Sequence, residues 1–157
     1  MKGRDKMDKQ YLKDYVKLRE EIECEQCRLL MLESKITGMS GKSNDGMPKG
    51  SAGEFDRMTL QIANKIDIEN NLKKLYQEET QKRKSIEAAV NNLLEHPYEK
   101  MVIRLKYIDG LSWQTICSVI YSRKGDYIEE QDKYMRNIYR IHGRALIKLS
   151  KKRSKRE

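Results

Sequence analysis

Arg136, Arg140, Arg144 and Lys148 recur at every fourth position near the C-terminus, a spacing that lines one face of an α-helix with cations. Residues 136–156 contain no Asp or Glu, so this field is undiluted. Guanidinium and ammonium groups in such a row suit a polyanion: they neutralise phosphates, and Arg also matches guanine O6 and N7 in the major groove. Ile138, Ile141, Ala145 and Leu149 follow steps of three and four on a different face. One side can pack on a core while the other meets phosphate and base edges, which is what the recognition helix of a helix-turn-helix requires. Asp126, Glu129, Glu130 and Asp132 precede it, so the basic field belongs to this helix and the residues after it. A solvated charged face is the plainer reading of the same run, and charge alone leaves it open.

The elements that must position this helix are themselves helical. The chain is 38% hydrophobic and 36% charged, with Pro only at Pro48 and Pro97, and no run alternates with the two-residue period of a strand. This predicts an all-α protein of narrow apolar stripes. Over about 8–37, Tyr11, Tyr15, Leu18, Ile22, Leu29, Leu32 and Ile36 make a heptad-like seam broken at Glu25, with Gly38 as its expected stop. Residues 38–53 read as a flexible Gly/Ser loop. A second long helix is expected over about 54–95, with Ile62, Ile66, Ile68, Leu72, Leu75, Ile86, Val90, Leu93 and Leu94 apolar and 77–85 wholly polar. Thin seams need a helical partner. Two arrangements fit: a coiled-coil-like antiparallel hairpin within residues 1–95, or association between chains as a homo-oligomer.

A second domain is expected over 96–157. His96-Pro97 marks its start, because Pro disfavours helix at the preceding residue and suits a first turn. A helix over about 97–108 should turn Met101, Val102 and Leu105 inward and end at Asp109-Gly110. Ser112 should cap a helix from Trp113 to about Tyr121 that buries Ile116 and Ile120. A polar connection, about 122–132, leads to the basic helix at about 134–149.

The stretch Tyr98-Glu99-Lys100-Met101-Val102-Ile103-Arg104-Leu105-Lys106-Tyr107-Ile108-Asp109-Gly110-Leu111-Ser112-Trp113-Gln114-Thr115-Ile116 resembles the opening of promoter-reading region 4 of sigma-70-type factors. Ile138-Tyr139-Arg140-Ile141-His142-Gly143-Arg144-Ala145-Leu146-Ile147-Lys148-Leu149 resembles that region's recognition helix, with its Arg-Ala-Leu-x-Lys-Leu ending. The match covers about a third of the chain, and the overall layout is similar to small phage and prophage proteins, several of them sigma-like or late-transcription regulators. The resemblance implies a DNA-binding transcription regulator, with double-stranded DNA as partner and RNA polymerase as a second one. Carried over by position, Met135, Arg136, Tyr139 and Arg140 would face bases, and Arg144, Lys148, Lys151, Lys152 and Arg153 would face phosphates. Two departures stand out. The connection between the two helices looks about ten residues longer than the family's tight turn, and Met135 and Tyr139 replace more polar residues.

Other chemistry is poorly supported. Cys24 and Cys27 form a lone Cys-x-x-Cys inside a helical pattern, without the further ligands a zinc site needs, and read as surface or interface thiols. Cys117 and Trp113 read as core residues and His142 as a packing or surface group. Gly41-Lys42-Ser43 lacks the spacing and strand of a phosphate loop. No nucleophile–base pair or cofactor fingerprint appears, so the expectation is a non-enzyme without cofactor. No apolar run approaches a membrane span, and residues 1–9 are charged rather than signal-like, so a cytoplasmic location without membrane contact is expected. Two other functions share these features: a small-terminase-like DNA-packaging protein, and a structural or adaptor coiled coil.

Overall fold

The computed structural model describes residues 7–40 and 52–151. Every regular element among them is helical: α1 (Lys9–Ser40), α2 (Ala52–Leu93), α3 (Pro97–Ile103) running into a π-helical segment (Arg104–Ile108), α4 (Trp113–Tyr121) and α5 (Gln131–Ser150). They build two compact units, one from Leu18–Glu79 and the other from the chain up to Lys17 together with Thr80 onward. The units therefore divide within α1 and α2, not at residues 95–96.

In the Leu18–Glu79 unit, α1 and α2 pair antiparallel within one chain. Gln26 bonds Tyr76 and Glu33 pairs with Lys65 at 3.1 Å, so later positions of one helix meet earlier positions of the other. Leu18, Ile22, Ile68 and Leu72 are buried along the seam, with Leu29, Leu32 and Leu75 beside them. Glu25 interrupts it as a half-buried carboxylate, relieved by Arg28 at 3.4 Å. Ile62 and Ile66, expected inside, are 41% and 50% exposed because their spacing from Ile68 and Leu72 turns them off the seam. Gly38 does not stop α1, which continues to Ser40. Glycine inside a helix costs only about 1 kcal/mol relative to Ala. The rest of the expected loop, 41–51, lies outside the described residues.

The other unit is organised around α5. Its N-terminal half places Ile138 and Ile141 against Val102, Ile116, Cys117 and Tyr121. Its C-terminal half places Ala145 and Leu149 against Leu12 and Tyr15 of α1, Ile86, Val90 and Leu94 of α2, and Ile103, Tyr107 and Ile108. All four stripe residues are at most 4% exposed. Burying an Ile or Leu side chain is worth about 1.5–3 kcal/mol, against a few tenths for a charge pair on a helix surface. The apolar stripe thus sets the rotation of α5, and the basic face follows from it.

Local signals place the remaining elements. His96 caps α3, its ring nitrogen accepting from the Tyr98 N–H, and Pro97 occupies the first turn. Met101 is exposed where an inward position was expected, while Ile103, Tyr107 and Ile108 are buried. Met101 lies on the side of α3 away from Glu99 and Ile103, and after it the Asp109 N–H bonds the Arg104 carbonyl, a wider turn that brings both Tyr107 and Ile108 to the core. Gly110 adopts φ 71°, the left-handed region expected of it. Ser112 Oγ then accepts from Thr115 N–H at 3.2 Å and starts α4. Ile116 is fully buried, but Ile120 only partly, with Tyr121 taking the inner position instead.

Candidate nucleic-acid interface

At about 100° per residue, Arg136 and Arg140 lie nearly opposite Ile138 on α5. Both are exposed, as is Arg144, and none forms an ion pair among the described residues. Tyr139 is 47% exposed and meets the edge of Trp113 at 5.3 Å. Met135 is only half exposed: it packs on the Ile116 and Ile138 cluster and lines an open cleft with Gln114, Thr115 and Gln131. Arg136, Tyr139 and Arg140 therefore share an accessible surface, with Met135 at its margin. Lys151 is exposed just past the helix. Lys152 and Arg153 lie outside the described residues.

Lys148 differs from the other cations. Its Nζ bonds both Glu99 oxygens, at 2.7 and 3.0 Å, and the Glu99 side chain is 5% exposed. The ammonium neutralises a buried carboxylate of α3 and is not a free phosphate ligand. Spacing could not reveal this, because Glu99 is 49 residues away.

The connection between α4 and α5 spans 122–130, only about five or six residues beyond an ordinary three- to four-residue turn, because α5 already begins at Gln131. A tyrosine cluster holds it. Tyr121 and Tyr134 stack at 4.6 Å, and Tyr127 lies tilted at 6.1 Å from Tyr134. Tyr134 donates to Asp126 at 2.6 Å, and Asn137 donates to the Tyr121 hydroxyl at 2.6 Å. The Asp126 bond pushes the Tyr134 hydroxyl up to about 12 and holds the carboxyl below its usual range. Asp126, Glu129, Glu130 and Asp132 suit the positive end of α5 but repel phosphate, so the accessible basic face starts at Arg136.

His142 is buried beneath this face. Its ring lies 4.9 Å from Trp113 edge-on, and Nε2 is 2.9 Å from the Tyr107 hydroxyl. Burial, then the charges of Lys9 and Lys106, lower it from 6.5 to about 4, while burial also raises the Tyr107 hydroxyl. Between those two pH values the unfolded chain binds a proton that the folded one does not. Stability is full above pH 6.5 and falls as pH drops toward 4. Urea unfolding should show a loss of about 2 kcal/mol between pH 7 and 5, much reduced in His142→Gln. An equal loss in the variant would assign it to other groups.

Sequence reasoning gave α4 no surface role. Gln114, Thr115 and Ser118 nevertheless line the cleft beside Met135, polar groups of the type that bond phosphate or base edges. Their helical position opposite Ile116 and Ile120 was the available signal. No family model, curated protein or solved structure matches this chain.

Proposed function

We propose that this chain is a DNA-binding transcription regulator of the sigma region 4-like, phage or prophage type, reading double-stranded DNA with α5. The observation that carries this reading is the pairing of two faces on one helix. Arg136 and Arg140 are exposed opposite the buried Ile138, Ile141, Ala145 and Leu149, with Arg144 exposed at the side, and none of the three forms an ion pair among the described residues. The Ser112-capped α4 packs against the same helix, as the first helix of a helix-turn-helix does. RNA polymerase is the second partner in this reading, and self-association through the N-terminal helices accompanies it.

The experiment is a titration of duplex DNA at several salt concentrations, combined with selection from a random pool. With about four to five phosphates neutralised, log affinity should fall with log salt at a slope near −4. Enrichment of one sequence supports a regulator. Binding without enrichment favours packaging, and no binding at low salt leaves only the adaptor reading.

A further inference from the structure

We infer that Cys24 and Cys27 of α1 are half of a tetrathiolate zinc site, completed when the same pair of a second copy of this chain docks on the outer face of α1. The site lies wholly within the Leu18–Glu79 unit and needs no DNA. It gives the self-association of the N-terminal helices a specific contact.

In this unit α1 carries two stripes. The first, through Leu18, Ile22, Leu29 and Leu32, forms the seam against α2. The second runs Glu20, Cys24, Cys27, Met31 and Ser34 in steps of four and three, and every member is exposed. At about 100° per residue it lies roughly opposite the first, so α2 leaves it open. Both thiols are free. Met31 and the neighbouring Leu30 are 63% and 65% exposed. Thiols beside an apolar layer on the outer face have no role in the α1–α2 hairpin itself.

Two cysteines three residues apart stand about 4.5 Å apart along a helix axis, close enough to share one zinc at about 2.3 Å from each sulfur. Structural zinc takes about four such ligands, and one chain falls short. No three His, Cys, Asp or Glu side chains are grouped to hold a metal among the described residues. A second copy related by a two-fold axis supplies the missing pair. An antiparallel contact sets Cys24 against Cys27 of the partner subunit and Glu20 against Met31 of the partner subunit. A parallel contact would stack Glu20 on its own copy, so like-charge repulsion selects the antiparallel one. Arg28 follows Cys27, one turn after Cys24, and brings positive charge beside the thiolates. Binding exchanges the S–H protons for Zn²⁺ with no change of oxidation state, and the protons go to solvent.

The test uses the full chain, a phosphine reductant to keep the thiols reduced, and zinc alone as the probe. The wild type should take up about one zinc per two chains, release about four protons per zinc, and pass from monomer to dimer by light scattering. Cobalt in place of zinc should give the visible spectrum of a tetrahedral thiolate site. Cys24→Ser/Cys27→Ser should lose the uptake, the dimer and the cobalt spectrum. Both side chains are exposed, so its helical circular dichroism should be that of the wild type. Zinc uptake that survives in the double variant overturns the site. Uptake by the wild type at one zinc per chain without a dimer overturns it as well. A dimer that forms without zinc and persists in the double variant leaves self-association standing through another contact and overturns the zinc site. DNA binding by a chain that takes up no zinc overturns the site and leaves the DNA reading intact.

Discussion

Replacing Arg140 with Ala should cost about 1–3 kcal/mol on the selected duplex and much less on random DNA, and Arg136→Ala should do the same. In affinity this is roughly five- to 150-fold for each. Both side chains are exposed on the side of α5 opposite Ile138, so truncation should leave folding stability within about 0.5 kcal/mol of the wild type. Arg144→Ala is the internal comparison. Arg144 lies further along α5, beyond the candidate base-reading positions, and should weaken all duplexes evenly while reducing the salt slope by about 1. Binding measured on both duplexes separates the outcomes. Equal losses on selected and random DNA would make Arg136 and Arg140 phosphate contacts. A large stability loss would mean that they hold the fold.

The apolar stripe of α5 was fully legible because it is a local pattern: Ile138, Ile141, Ala145 and Leu149 differ by three or four positions, and all are buried. The same holds for the Ser112 cap and the turn at Gly110, where one residue's chemistry decides the local backbone. Legibility failed where distant groups decide. Glu99 and Lys148 look like ordinary surface charges until the fold places one beside the other. Leu12 belongs to no obvious heptad, yet it is fully buried because the start of α1 packs on α3 and α5 as well as on α2. The π segment widens the turn after Ile103 so that Tyr107 and Ile108 are both buried, and no local pattern announces it. The connection looked like a long polar insertion because Tyr121, Tyr127 and Tyr134 are aromatic residues whose stacking depends on the turn between them.

In the proposed DNA reading, the charges around α5 limit how it would approach a duplex. In a simple helix-turn-helix the first turn of the recognition helix enters the groove. Here that turn is flanked by Asp126, Glu129, Glu130 and Asp132, while the nearby Lys133 reaches Asp126 and Glu130 only at 3.9 and 4.0 Å. Phosphate is repelled there and attracted from Arg136 onward. In that reading, the middle of α5 would lie closest to the DNA. The tyrosine cluster keeps the connection folded against Tyr134 and Asn137, which holds its carboxylates in place beside the helix start.

Lys148→Ala should destabilise the protein by about 2–3 kcal/mol, an effect on folding instead of on DNA contact. The Glu99 carboxylate is 5% exposed and receives both of its close bonds from Lys148. Removing the ammonium leaves a charge in the interior with no counterion, a change that costs about 3–5 kcal/mol for fully buried pairs. Lys148 is itself 42% exposed, so water relieves part of the penalty and the lower range applies. Glu99→Met/Lys148→Met removes both charges and should recover much of the loss, since an apolar pair of similar volume carries no stranded charge. A double-mutant cycle by urea unfolding should therefore show strong coupling between the two sites. If Lys148→Ala left stability unchanged while lowering the salt slope on DNA by about 1, Lys148 would be a phosphate contact and its bond to Glu99 incidental. The two results are opposite in kind, because one is read without DNA and the other only with it.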